Sequence, residues 1–202
     1  MKIICIGRNY KEHAKELNND LPNEPLFFLK PDTASLAKRM PFFIPDFTND
    51  VHHEVEVVVK IDRVGKNIEE HFAHKYYSEI SLGIDFTARD VQRECKKNAW
   101  PWEKAKSFDG SAPTGKFIDK GSCDLDNLSF QLYKNDQLVQ QGNTKDMIFN
   151  INTIISYVSK FITLKRGDFI FTGTPSGVSR VEKGDSLKGY IGKEEILKVQ
   201  VR

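Results

Sequence analysis

The stretch that most constrains the fold is residues 52–61, His-His-Glu-Val-Glu-Val-Val-Val-Lys-Ile. Its β-branched run and its alternation of charged with apolar residues predict a strand from His53 to Ile61. Side chains two apart on a strand share a face. Glu54 and Glu56 therefore lie together, opposite Val55, Val57 and Val59. The valines suit a core. The glutamates then stand side by side at its mouth, about 7 Å apart at Cα, where like charges repel and add nothing to packing. A solvated edge strand tolerates such a pair, whereas a divalent cation turns its cost into attraction.

A third carboxylate favours the cation. Ile80–Ile84 predicts a further strand, and Asp85 closes it, where its side chain can reach a pocket at the end of the sheet. Three carboxylates with no thiolate make an oxygen-rich site, which suits Mg²⁺ or Mn²⁺ better than Zn²⁺. About three octahedral positions remain for water and a chelating substrate.

Around this core the remaining elements are short. Lys2–Ile6 predicts a first strand, and Tyr10–Leu17 a helix ended by Asn18-Asn19-Asp20 and Pro22. Residues 22–50 carry five of the eight prolines and should be extended, with short edge strands. Thr87 and Asp90 resemble a capping box that opens a helix to about Asn98. Met147, Ile151, Ile154, Val158 and Phe161 fall at helical spacing and predict a helix over Lys145–Lys160. Beyond it, Gly167-Asp168, Gly184-Asp185 and Gly192-Lys193 punctuate apolar runs, which predicts a β-meander or barrel closing the fold. Strands and helices do not alternate regularly, so a doubly wound sheet is disfavoured. The expectation is a β-rich α+β fold, a single domain over residues 1–202.

Composition narrows the function classes. Fourteen Phe, six Tyr and two Trp supply a core, and a net charge of +2 gives no nucleic-acid footprint. Cys5, Cys95 and Cys123 are far apart and form no CxxC pair, which argues against structural zinc or a disulfide framework. The opening MKIICIG is too short for a signal peptide, and no run approaches a membrane span of about 20 residues. A reducing cytoplasm, with no membrane partner, is the expected setting.

Several polar groups are candidates for chemistry. His13 and Glu16 stand three apart on the first predicted helix, where a carboxylate fixes an imidazole's tautomer and raises its basicity. The same spacing describes a surface ion pair. Arg8, Asn9 and Tyr10 form a polar turn just before it that can shape the same pocket. Arg89 and Gln92 follow Asp85, and an arginine fork there suits a substrate carboxylate or a solvent-facing helix alike. Lys106 can serve an anion or an enolate, or simply be solvated. The turn Thr172-Gly173-Thr174-Pro175-Ser176-Gly177-Val178 is neither a P-loop nor a dinucleotide fingerprint. Its amides and hydroxyls can contact a small anion, although a hairpin turn alone explains it.

Taken in order, these stretches resemble the fumarylacetoacetate hydrolase family, in particular its short acylpyruvate hydrolase and oxaloacetate decarboxylase branch. The matching segments are GRNYKEHAKE at 7–16, FLKP at 28–31, HHEVEVVV at 52–59, GIDFTARDVQ at 83–92 and AKSFDGSAPTG at 105–115. They continue with QGNTKDMIF at 141–149, LKRGDFIFTGTPSGV at 164–178 and the Gly184-Asp185 pair. The resemblance implies a mixed β-sandwich roll and a homodimer. It implies Mg²⁺ or Mn²⁺ on Glu54, Glu56 and Asp85, a catalytic dyad at His13 and Glu16, substrate contacts from Arg89, Gln92 and Thr174, and a catalytic Lys106. Ser179 departs from the pattern, since relatives commonly carry glycine there.

The activity first expected from this resemblance is hydrolysis of a C–C bond in an acylpyruvate-type 2,4-dioxo acid, such as acetylpyruvate or fumarylpyruvate. His13, held by Glu16, would activate water, and the metal and Lys106 would stabilise a pyruvate enolate. The alternatives are oxaloacetate decarboxylation or tautomerisation, and isomerisation of 2-hydroxyhepta-2,4-diene-1,7-dioate. All use the same enolate apparatus. A non-catalytic metal-dependent binding module is the last alternative, and it has no use for a base. Tail specificity is expected from residues 17–25 and 98–104, where Trp100-Pro101-Trp102 can form an apolar wall or simply pack.

Overall fold

The computed structural model describes residues 1–17, 20–37 and 40–202. Asn18 and Asn19, expected to end the first helix, lie outside the described residues. The elements in chain order are β1 (Ile3–Gly7), α1 (Lys11–Glu16), β2 (Leu26–Lys30), β3 (Val51–His53), β4 (Val55–Ile61), β5 (Tyr77–Ile84) and β6 (Thr87–Ala88). Then come α2 (Arg89–Lys97), α3 (Glu103–Lys106), β7 (Ile118–Asp119), β8 (Ser129–Lys134), β9 (Gln137–Asn143) and α4 (Ile151–Phe161). The chain closes with β10 (Phe169–Phe171), β11 (Ser179–Arg180), β12 (Ser186–Ile191) and β13 (Glu194–Gln200). The fold is strand-rich α+β, as the sequence predicts.

The strands form three sheets. A six-stranded sheet runs β2-β1-β10-β4-β5-β7, and a four-stranded sheet runs β13-β12-β8-β9. A three-stranded sheet, β11-β3-β6, sits at the site. In the large sheet only β1 and β10 pair in parallel. Apolar residues from the large and four-stranded sheets meet in one core, with Val55, Val57, Val59 and Leu82 joining Leu132, Leu187 and Leu197. Val58 points the other way, into a smaller cluster with Ile3, Cys5 and Phe171. The alternation read from the sequence therefore holds along β4, and β2 is an edge strand in the proline-rich region.

Four expectations need correction. The strand predicted over His53–Ile61 is broken at Glu54, and its two parts belong to different sheets. Thr87 does not cap α2: the capping position is Ala88, with no side-chain bond. Thr87 is a strand residue, and Asp90 instead accepts from Thr48 Oγ1 (2.6 Å) and Asn49 N–H (3.0 Å). The last helix begins at Ile151, not Lys145, because Asn150 caps it by accepting from Thr153 N–H at 2.9 Å. The C-terminal strands form neither a single meander nor a barrel. β10 is inserted between β1 and β4, while β12 and β13 extend the β8–β9 hairpin. That hairpin turns on Asn135 and Asp136, both with positive φ (51° and 64°).

Candidate active site

The break in the glutamate strand builds the site. As the chain passes from β3 to β4, Glu54 stands at the corner, and its carbonyl accepts from Asp85 N–H at 2.8 Å. That bond joins the corner to the end of β5. Glu54, Glu56 and Asp85 thereby converge, with one carboxylate oxygen from each lying within 4.8 Å of the others. They are 5%, 2% and 1% exposed, which removes the solvated-edge alternative.

Cations balance this charge unequally. Lys106 Nζ donates to Glu54 Oε2 (2.8 Å), Asp85 Oδ2 (2.7 Å) and Thr87 Oγ1 (2.6 Å). Arg89 Nη2 donates to Glu54 Oε1 at 2.5 Å, and its Nη1 to Gln92 Oε1 at 2.8 Å. Lys30 was not singled out from the sequence, yet its fully buried ammonium lies 2.7 Å from Asp85 Oδ1 and is held by Ser111. Glu56 receives one backbone donor, Gly173 N–H at 2.7 Å, and no cation among the described residues.

The titration behaviour follows. Burial alone raises the Glu54 carboxyl, but Lys106 and Arg89 outweigh it and hold the group well below the usual range. Burial pushes Glu56 well up, and Asp85 and Glu54 add to the push. Burial lowers Lys106, yet Asp85 and Glu54 carry it above its ordinary value. The residues present fit a hard divalent cation: three converging oxygen donors, one of them a buried carboxylate short of positive charge.

The other expected residues face the same cavity, whose volume is about 40 Å³. His13, Arg8, Arg89, Gln92, Lys106 and Thr174 all line it. His13 is buried, and its Nδ1 lies 3.1 Å from Glu16 Oε2. Gly177 N–H donates to both oxygens of Glu16, at 3.1 and 3.3 Å. Glu16 is therefore pinned by the Gly-rich turn, and His13 Nδ1–H donates to it, which leaves Nε2 as the free base. Arg8 has φ 58°, a conformation that non-glycine residues seldom adopt. Asn9 ties its turn to the Gly-rich turn by donating to Thr172 O at 2.7 Å.

Two roles differ from expectation in this state. The Arg89 fork engages Glu54 and Gln92 rather than opening into the cavity, and all three Lys106 bonds go to Glu54, Asp85 and Thr87. Lys96 also lines the cavity, as does Trp102, whose ring lies 5.9 Å from the Lys96 ammonium. Lys96 falls seven residues after Arg89 on one helix face, a register visible in the sequence. Trp102 forms the expected apolar wall, with Phe28 edge-on at 6.0 Å, while Trp100 is exposed.

Comparison with known proteins gives a consistent picture. Residues 2–202 match the family model described as Fumarylacetoacetate (FAA) hydrolase C-terminal. The chain is 44% identical over 94% of its length, and 86% of the other's, to the Bos taurus protein named oxaloacetate tautomerase FAHD1, mitochondrial. It is 42% identical to a Dictyostelium discoideum protein named oxaloacetate decarboxylase, mitochondrial, over 93% of this chain and 87% of that one. Among solved structures, fumarylpyruvate hydrolase from Pseudomonas aeruginosa, in complex with Mn²⁺ and pyruvate, superposes with a TM-score of 0.92. It is 33% identical, with 100% of this chain and 89% of that one covered.

Proposed function

The chain belongs to the fumarylacetoacetate hydrolase C-terminal family, and on that premise we propose that it is a Mg²⁺- or Mn²⁺-dependent enzyme acting on the keto–enol system of oxaloacetate, as a tautomerase or decarboxylase. The observation that carries this is a buried base, His13, opening into the same small cavity as Glu54, Glu56 and Asp85. The names of the relatives above select among the reactions that such a cavity permits. They favour the tautomerase and decarboxylase branch over the hydrolysis placed first from sequence.

Glu54, Glu56 and Asp85 would hold the cation, which when bound supplies a Lewis acid to the carboxylate and 2-oxo oxygens of the substrate. His13 Nε2 takes the enol hydroxyl proton and returns a proton to C3. Glu16 stabilises the imidazolium between these two transfers. No water takes part in these transfers. Arg8, Gln92 and Thr174 contact the substrate's carboxylates. Arg89 and Lys106 line the same cavity and would supply positive charge beside the substrate's anionic oxygens. Arg8 and Lys96 both line the cavity, and their charge suits a diacid.

A second reading, hydrolysis of fumarylpyruvate, draws on the structural likeness to the Pseudomonas aeruginosa enzyme. There the same His13 would activate a water. We further propose a homodimer in a reducing compartment such as the cytoplasm, consistent with the three free thiols Cys5, Cys95 and Cys123. No helix among the described residues is long and apolar enough to cross a membrane. The deciding experiment is a substrate panel of enol-oxaloacetate, acetylpyruvate, fumarylpyruvate and 2-hydroxyhepta-2,4-diene-1,7-dioate with Mg²⁺ or Mn²⁺, measuring enol absorbance, pyruvate and CO₂. Fast ketonisation of oxaloacetate supports the proposal, and preferential release of pyruvate from a dioxo acid supports hydrolysis instead.

A further inference from the structure

We propose that Gln140, on β9 of the four-stranded sheet, is a positioning residue that commits the Thr174 hydroxyl to donate its proton into the cavity, toward an anionic oxygen of the substrate. Gln140 is buried, and its amide meets four groups. Val55 N–H reaches Oε1 at 3.0 Å, and His53 Nδ1 lies 2.9 Å from the same oxygen. On the other side, Nε2 lies 2.9 Å from the Pro175 carbonyl and 2.9 Å from Thr174 Oγ1.

Backbone atoms decide which way the amide points. Val55 N–H can only donate, and the Pro175 carbonyl can only accept. A flipped amide would set donor against donor and acceptor against acceptor. Nε2 therefore donates to Thr174 Oγ1. The same logic continues outward. Gln140 Oε1 requires His53 to carry its hydrogen on Nδ1, so His53 Nε2 accepts from the Ser179 hydroxyl at 2.8 Å. Ser179, His53, Gln140 and Thr174 form a chain of hydrogen bonds with one polarity, reaching from β11 through β3 and β9 to the cavity wall.

The consequence falls on Thr174. Its oxygen already accepts one hydrogen bond. Among the described residues its proton finds only the Pro175 carbonyl, at 3.5 Å, beyond the usual O–H···O range. Thr174 lines the cavity, so the proton is left to a ligand. A freely rotating hydroxyl would give up torsional freedom on binding, whereas this one is set beforehand. The network also gives the Ser179 hydroxyl a partner in His53 Nε2.

The inference rests on Thr174 contacting the oxo-acid, as proposed above, and the experiment separates the two. Oxalate serves as a non-reacting probe, titrated by calorimetry into Mn²⁺-loaded protein, with folding of each variant followed by thermal denaturation. Thr174→Val should weaken oxalate about tenfold or more, the size expected for a hydrogen bond to a charged group. Thr174→Ser should bind like the parent. Gln140→Glu can only accept from Thr174, which turns the hydroxyl proton away from the cavity. It should therefore match the loss in Thr174→Val, and the double variant should bind no more weakly than either single. Gln140→Met should keep more oxalate affinity than Gln140→Glu despite losing more hydrogen bonds, the reverse of what a purely structural role gives. Additive losses in the double variant, or parental affinity in Gln140→Glu, would overturn the role of Gln140. Parental affinity in Thr174→Val would overturn it together with the substrate contact, leaving the carboxylate centre and the His13 base standing.

Discussion

Glu56 is the one site carboxylate with no cation beside it among the described residues, while Glu54 and Asp85 each face an ammonium or guanidinium. Its carboxyl is raised by burial and by Asp85 and Glu54, so the metal-free folded state holds a proton that the unfolded chain has already released. Its contribution to stability is present below the unfolded value and is lost as pH rises through the folded value. A divalent cation competes with that proton. The rise in Tm on adding Mn²⁺ should therefore grow as pH rises. Glu56→Gln should lose the Mn²⁺ response, yet in metal-free buffer it should melt at least as high as the parent, because a buried titratable carboxyl is replaced by a neutral amide. A lower metal-free Tm with the Mn²⁺ response intact would contradict the assignment. His13→Ala should lower kcat by about 10²–10⁴-fold, as expected for loss of a general base, and leave the Mn²⁺ response unchanged. Glu54, Glu56, Asp85, His13 and Glu16 were legible in the sequence because their spacing on a strand and a helix encodes their neighbours. Lys30 and Gln140 were not. A lysine on a short strand and one glutamine of a pair look like surface residues until a distant segment covers them.

At the scale of elements, the strand break at Glu54 was hidden because alternation continues across it. Period-two patterning reports which face a side chain takes, not which sheet pairs with it. The bond from Asp85 N–H to the Glu54 carbonyl, 31 residues apart in sequence, makes the corner. The Gly-rich turn holds the opposite wall. Gly173 has φ 101°, and a Cβ there would lie 2.6 Å from Asn9 Cβ. Gly173→Ala should cost about 2 kcal/mol or more in denaturant unfolding, and should weaken Mn²⁺ binding because Gly173 N–H orients Glu56. Asn150→Ala tests an element remote from the chemistry. Loss of the α4 cap should cost about 1 kcal/mol and leave kcat/KM unchanged. The start of α4 was missed because apolar periodicity extends back to Met147, while the cap that stops it is a single polar side chain.

Over the whole molecule, the strand-rich α+β class follows from many short apolar runs separated by glycine turns, and the structure has that character. The order of the strands does not follow. β1 and β10 pair in parallel across more than 160 residues, and no local signal marks such a partner. This long closure matters for function, because it brings the Gly-rich turn after β10 beside the turn after β1. Glu16 then meets Gly177, and Asn9 meets Thr172. His13, the three carboxylates and Thr174 of the Gly-rich turn thus come from segments spread over the chain and line one cavity. The chemistry proposed for this cavity is a metal-assisted proton transfer by His13 on a four-carbon oxo-diacid. The most direct test follows the loss of enol absorbance of oxaloacetate with Mg²⁺ or Mn²⁺, in the parent protein and in His13→Ala, beside pyruvate release from acetylpyruvate and fumarylpyruvate. Ketonisation should be rapid and metal-dependent and fall about 10²–10⁴-fold in His13→Ala, with slower cleavage of the dioxo acids. Ketonisation no faster than buffer, together with efficient cleavage of either dioxo acid, would contradict it.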